Sequence, residues 1–216
     1  MATRGLTLSD EKTRITNIED GFDFLGFNIR KYKGKLLIKP SKKGIKAFLA
    51  NIRETIRSQK GAATVNLIRI LNPKVRGWAN YYHHVVSKET FNYVDSQIFA
   101  SIWQWCKRRH LNKGQRWIKD KYFESVDNKN WVLGAKYKND KQEWKYISLI
   151  KMAHTPIKRH VKIKADATPF SSEYQVYFEE RDKAKKKKRS TTVTASEKYF
   201  ANTNTTSSAT TGSSLG

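Results

Sequence analysis

The apolar positions of this chain begin at a strand-like period and turn helical after Pro40. Phe22, Phe24, Phe27 and Ile29 lie close to period two, the spacing that lines one face of a β-strand. Gly26 breaks the alternation where a β-bulge would fit. Lys33-Gly34 predicts a turn, and Leu36-Leu37-Ile38 the returning strand, stopped by Pro40. Ahead of them, Gly5-Leu6-Thr7-Leu8 reads as a turn and Glu11-Lys12-Thr13-Arg14-Ile15 as a short strand. Strands this short bury too little apolar surface to stand alone, so the piece needs something to pack on.

Beyond Pro40 the period becomes helical. Ser41 is the expected N-cap of a first helix, in which Ile45, Phe48, Leu49, Ile52 and Ile56 form one apolar stripe. Lys42, Lys46, Arg53 and Arg57 then fall on its polar side, and Gly61 ends it. Thr64 caps a second helix with Val65, Ile68 and Leu71 inward and Arg69 outward. Pro73 interrupts it, and a further turn carries Val75, Trp78, Tyr82 and Val85. A third helix is expected from Lys88 to His110, with Phe91, Val94, Ile98, Ile102 and Trp105 inward. Its last turn, Lys107-Arg108-Arg109-His110, suits the negative end of the helix dipole. Farther on, the pattern predicts a short helix at 114–124, a hairpin at 130–147, an extended basic run at 154–164 and a helix at 171–188.

Charge then narrows the function. The 216 residues hold 43 Lys and Arg against 19 acids, a net charge of +24. Such an excess calls for a polyanion, and nucleic acid fits better than a membrane because no apolar run approaches the length of a span. Residues 1–39 carry a net +3, residues 40–112 a net +10 and residues 113–189 a net +11, while the one acid and one base of residues 190–216 cancel. The last segment holds 14 Ser and Thr among 27 residues and reads as a disordered tail. Cys106 is the single cysteine, which rules out an internal disulfide or a Cys-rich zinc site. With no signal-like N-terminus, a cytoplasmic location is expected.

Residues 67–82 interleave Arg69, Lys74 and Arg76 with Trp78, Tyr81 and Tyr82, so cations for phosphates stand beside rings that could stack on unpaired bases. At helical spacing Trp78 and Tyr82 read as mainly structural, while Tyr81 remains open to either role. RNA-contact candidates are Lys42, Lys46, Arg53, Arg57, Arg69, Lys74, Arg76, Tyr81, Arg108 and Arg109. Lys158, Arg159 and the run Lys185, Lys186, Lys187, Lys188 and Arg189 are further nucleic-acid candidates. Against phosphate contact stand plain solvation for Arg53, Arg57, Arg69, Lys74 and Arg76, and a helix C-terminal cap for Arg108 and Arg109. His83-His84 has no carboxylate or Cys nearby in sequence, so no metal site is assigned, and neither Asp23 nor Asp95 is given a catalytic role. For Asp95 an ion pair with basic neighbours is the expectation.

Several motifs in series resemble those of group II intron reverse transcriptases. Gly5-Leu6-Thr7-Leu8 with Glu11-Lys12-Thr13 is similar to their penultimate palm block, and Gly21-Phe22-Asp23-Phe24-Leu25-Gly26-Phe27 to their last one. Residues 41–110 resemble the thumb, or maturase (X) domain, and His154-Thr155-Pro156-Ile157-Lys158-Arg159-His160 resembles the start of the DNA-binding region. The resemblance implies a mainly α fold with a small N-terminal β segment: a palm remnant at 1–39, a three-helix thumb-like bundle at 40–112, and a basic, aromatic-rich extension at 113–189. It also implies binding of group II intron RNA in its splicing-active fold, with target DNA as a further partner. Any Mg2+ would be held through the RNA, so no cofactor of the protein's own is expected.

The family's polymerase site needs paired aspartates to hold two metal ions, and no Asp-Asp pair occurs here. The His and Cys cluster of its endonuclease module is missing too. Lys12 resembles the palm lysine near the incoming nucleotide but lacks those metal-binding partners. Catalysis by this chain alone is therefore not expected. Two alternatives stand beside the maturase reading: a fragment that completes a palm-bearing chain or pairs with a second copy, and a basic nucleic-acid binder without a preferred target.

Overall fold

In a computed structural model of the chain, residues 14–126, 129–184 and 186 are described. They belong to two units, divided between His160 and Val161. In the first unit, strands β1 (Phe22–Phe24), β2 (Phe27–Tyr32) and β3 (Lys35–Pro40) form an antiparallel sheet in that order. Helices α1 (Lys42–Ser58), α2 (Thr64–Tyr82), α3 (Lys88–Arg109) and α4 (Gln115–Tyr122) follow. A second antiparallel sheet holds β4 (Phe123–Val126), β5 (Lys129–Lys138) and β6 (Trp144–Ser148).

Both turns of the first sheet are two-residue hairpin loops with positive φ at each residue. Lys33 and Gly34 lie at 45° and 79°, and Leu25 and Gly26 at 48° and 81°. That is the type I′ geometry whose twist matches the flanking strands. Gly26 thus turns the chain rather than bulging it. Arg14 and Ile15 have no regular structure, while the rest of the expected first strand and the palm-like motif at residue 5 lie outside the described residues.

The three long helices follow their apolar stripes. Leu49, Ile52 and Ile56 of α1, Ile68, Leu71 and Val75 of α2, and Phe91, Val94 and Ile98 of α3 are buried together. The Ser41 hydroxyl accepts the Gly44 N–H at 3.0 Å, capping α1 as expected. Gln59, not Gly61, is the C-cap of α1, and Ala63, not Thr64, the N-cap of α2.

Helix α2 runs through Pro73 without a break. Proline removes one ladder hydrogen bond and crowds the Arg69 carbonyl, at a cost of about 3 kcal/mol. Leu71 and Val75, on either side of it, are both fully buried in one core. Each such burial contributes about 1.5–3 kcal/mol, enough to offset the cost and keep the helix continuous. Asn72 adds a lock: its amide donates to the Ser148 carbonyl at 2.9 Å and accepts the Ile150 N–H at 3.0 Å. Gly77 is exposed with open space beside it, so it does not serve close helix packing.

The extension shares the core of the bundle. Ile118, Tyr122, Phe123, Leu133 and Met152 join the same buried cluster. The expected short helix stops at Tyr122 and gives way to β4, a strand the apolar pattern did not predict; the expected hairpin is β5–β6. Gly134 has no room for a side chain, because a Cβ there would lie 1.8 Å from the Tyr146 hydroxyl oxygen.

In the second unit, a 3-10 turn at Ser172–Tyr174 leads into a helix over 175–184. Arg181 donates to the backbone carbonyls of Val161 and Lys162. The Tyr177 hydroxyl accepts the Lys164 N–H at 3.3 Å. The tail at 190–216 lies outside the described residues.

Candidate nucleic-acid interface

Lys42, Lys46, Arg53 and Arg57 are spaced by four, seven and four residues, so they share one flank of α1, and all four are exposed. This flank borders α3, where Arg53 donates to the Gln97 side-chain oxygen at 2.9 Å. The apolar stripe beside it is buried, which fixes the direction in which the cations project.

The cations of α2 do not join that flank. The Lys74 ammonium turns toward the other side of α1, donating to Asn51 at 2.9 Å and to the Thr55 hydroxyl at 2.7 Å. Arg69 faces the second sheet, its guanidinium 4.7 Å from the centre of the Tyr137 ring. Arg76, seven residues on, is exposed on the same side of α2 as Arg69. A single positive side shared by α1 and α2 is therefore not what the fold builds. Because α2 is bonded to α1 on one flank and to the second sheet on the other, its charges part between those neighbours.

Tyr81 is half-exposed, but its ring stacks on Phe27 at 5.2 Å and its hydroxyl donates to the Leu25 carbonyl at 2.8 Å. Trp78 stacks on Phe48, and Tyr82 is buried, as their helical spacing implied. At the end of α3, Arg108 is exposed. Arg109 instead lies over Trp105 at 4.5 Å and donates to the Ala62 carbonyl, holding the α1–α2 loop. Trp105 pins the same loop through its indole N–H on the Gln59 carbonyl, 2.9 Å away. Burial pushes the Cys106 thiol up to about 12, so it stays protonated and unreactive at neutral pH.

The run after residue 154 attaches to the end of α2. The Lys158 N–H donates to the His83 carbonyl at 2.9 Å, and the His160 ring lies 4.6 Å from that of His84. Arg159 is exposed. Of the basic cluster Lys185, Lys186, Lys187, Lys188 and Arg189, only Lys186 falls among the described residues, on the helix of the second unit and exposed.

Asp95 departs from expectation. Instead of an ion pair, its two carboxylate oxygens accept the N–H groups of Met152 and Ala153, both at 2.9 Å. Burial is the largest influence on its pKa and raises it; the two N–H donors and the charges of Lys151 and Lys88 act the other way. Beside it opens a groove of about 600 Å³ lined by Asn92, Asp95, Ser96, Phe99, Trp131 and Lys151 among others. The sequence offered a partial signal for it: Asn92, Ser96, Phe99 and Trp103 share one face of α3, but Trp131 lies far along the chain. No group of three or more His, Cys, Asp or Glu suited to a metal ion occurs among the described residues. No described helix is long and apolar enough to cross a membrane.

Residues 45–123, from the first turns of α1 to the first residue of β4, match the family model described as the group II intron maturase-specific domain. No curated protein matches the chain significantly. That domain serves intron RNA binding and splicing and is not a catalytic one. The helical body of this chain is therefore similar to the maturase-specific domain of group II intron maturases, which supports reading the chain as a C-terminal portion of such a protein.

Proposed function

We propose that the chain binds folded group II intron RNA and holds it in its splicing-active form. The observation that carries this is the exposed flank of Lys42, Lys46, Arg53 and Arg57 on α1, the last three within the matched maturase-specific domain and Lys42 three residues before it. Such cations contact phosphates and release counterions. Arg76, Arg108 and Arg159, exposed elsewhere on the same unit, would take further turns of a large RNA. Phosphate contact does not distinguish RNA from target DNA, so DNA met during intron mobility fits the same cations. A ligand that binds only the folded RNA stabilises it by its own binding free energy. The splicing chemistry remains with the RNA and its Mg2+.

The test compares affinity for intron RNA and for a size-matched RNA at roughly 50 and 200 mM salt, together with splicing at limiting Mg2+. Preference for the intron and rescue of splicing are expected. Equal affinity for both RNAs with no rescue would retire the reading in favour of a generic nucleic-acid binder.

A second reading is favoured by one face of the first sheet. Phe22, Phe24, Leu36 and Ile38 share it and stay 40%, 58%, 58% and 38% exposed. A palm-bearing chain that supplies paired aspartates would cover such a face. Primer extension that appears only when both chains are mixed would support this.

A further inference from the structure

We infer that the groove between α3, Trp131 and the Met152–His154 turn is a pocket for an unpaired nucleobase of the bound RNA. The inference rests on the RNA-binding reading above and assigns one site to it. Its volume, about 600 Å³, suits a nucleotide-sized ligand.

One wall is aromatic. Phe99 and Trp131 meet at 6.1 Å with ring planes near perpendicular, and they remain 37% and 40% exposed. Trp103 and Phe123 buttress Trp131 from behind, at 5.6 and 6.1 Å. The exposed indole surface is therefore held rigid, as a stacking platform requires.

The backbone at Trp131 is unusual for so large a residue. Its φ is +61°, a left-handed conformation that glycine or asparagine adopts with far less strain. It sits where the pairing of β4 and β5 loses register, between Glu124 opposite Val132 and Val126 opposite Lys129. Irregular pairing of this kind re-aims a side chain, and here the indole borders the groove. A position serving the sheet alone would not need an indole in that conformation.

The other wall is polar. Asn92 and Ser96 lie one turn apart on α3, and the Asn92 amide can both donate to and accept from a base edge. Asp95 also lines the groove, but its carboxylate is already engaged by the N–H groups of Met152 and Ala153, which limits its repulsion of an anion. Lys151 lines the groove, and the Lys119 ammonium lies 5.6 Å from the Trp131 ring centre, so cations for adjoining phosphates flank the platform. A π-face, an edge-reading amide and flanking cations together match an unpaired nucleotide and no simple apolar ligand.

The test uses the full chain with labelled single-stranded oligoadenylate about ten nucleotides long, and the same oligomer with its bases removed. Trp131→Ala should weaken binding of the base-bearing strand about tenfold, and Trp131→Phe should restore most of it. Neither substitution should change affinity for the abasic strand. Asn92→Ala, at an exposed position of α3, should weaken only the base-bearing strand while leaving the fold intact, so it tests the pocket even if Trp131→Ala unfolds. Equal losses on both strands, or no loss on the base-bearing strand with Asn92→Ala, would overturn the pocket. A protein that passes this test but shows no preference for intron RNA would overturn the maturase reading and leave the pocket standing.

Discussion

The Tyr82 hydroxyl donates a hydrogen bond of 3.0 Å to the Gly26 carbonyl, joining the last residue of α2 to the turn between β1 and β2. Tyr81 makes the equivalent bond to Leu25, and the Ser41 N–H adds a second donor to Gly26 at 2.9 Å. The motif resembling a palm block is thus tied to the one resembling a thumb. Tyr82→Phe should lower stability by about 1 kcal/mol, read as a shift of the urea midpoint. Gly26→Ala should cost more, because its φ is +81° and a Cβ there would lie 2.9 Å from the same hydroxyl.

Replacing Lys42, Lys46, Arg53 and Arg57 together by alanine should leave the fold intact and flatten the salt dependence of RNA binding. The slope should fall by about 0.7–0.9 for each phosphate that is no longer neutralised. Lys74→Ala is the contrasting control. Its ammonium bridges to Asn51 and Thr55, so stability should drop before affinity does. Titrations of affinity against salt for both variants separate the two outcomes.

Asp95→Ala strips the acceptors from two backbone N–H groups in a half-buried site. A loss of about 1–3 kcal/mol is expected by chemical denaturation. Because burial raises its folded pKa above the ordinary 3.8, the folded state binds the proton more tightly. Its contribution is therefore greatest at low pH and falls as pH rises through the raised value. Asp95→Asn should remove that part of the acid-side profile.

His84 carries the opposite sign. Burial, then the neighbouring His160 and His83, lower its pKa below 6.5. Between that folded value and 6.5 the unfolded chain binds more protons, so stability is full above 6.5 and is lost as pH falls toward the folded value. His84→Gln should flatten the loss seen on moving from about pH 8 to about pH 5.5, measured by thermal unfolding. Part of the loss should persist, because His110 is lowered as well.

Gly134→Ala should destabilise the second sheet by about 1–3 kcal/mol. Tyr146→Phe should relieve only part of this, since a ring carbon also lies 2.4 Å from the added Cβ. Far-UV and near-UV melts of the single and double variants decide it.

Among the described elements, the sequence by itself determined those written in local chemistry. The stripes of α1 and α3, the Ser41 cap, the Lys33-Gly34 turn and the cationic flank of α1 each depend on residues within a few turns of one another. Tertiary structure decided the rest. Only burial on both sides of Pro73, with Asn72 bonded to Ser148 and Ile150, keeps α2 whole. Only the neighbours of α2 send Lys74 toward α1 and Arg69 toward the second sheet. Asp95, Arg109 and the groove beside Trp131 draw their roles from partners far away in the chain. Periodicity tells which way a side chain leaves its own helix, but not what it will meet there.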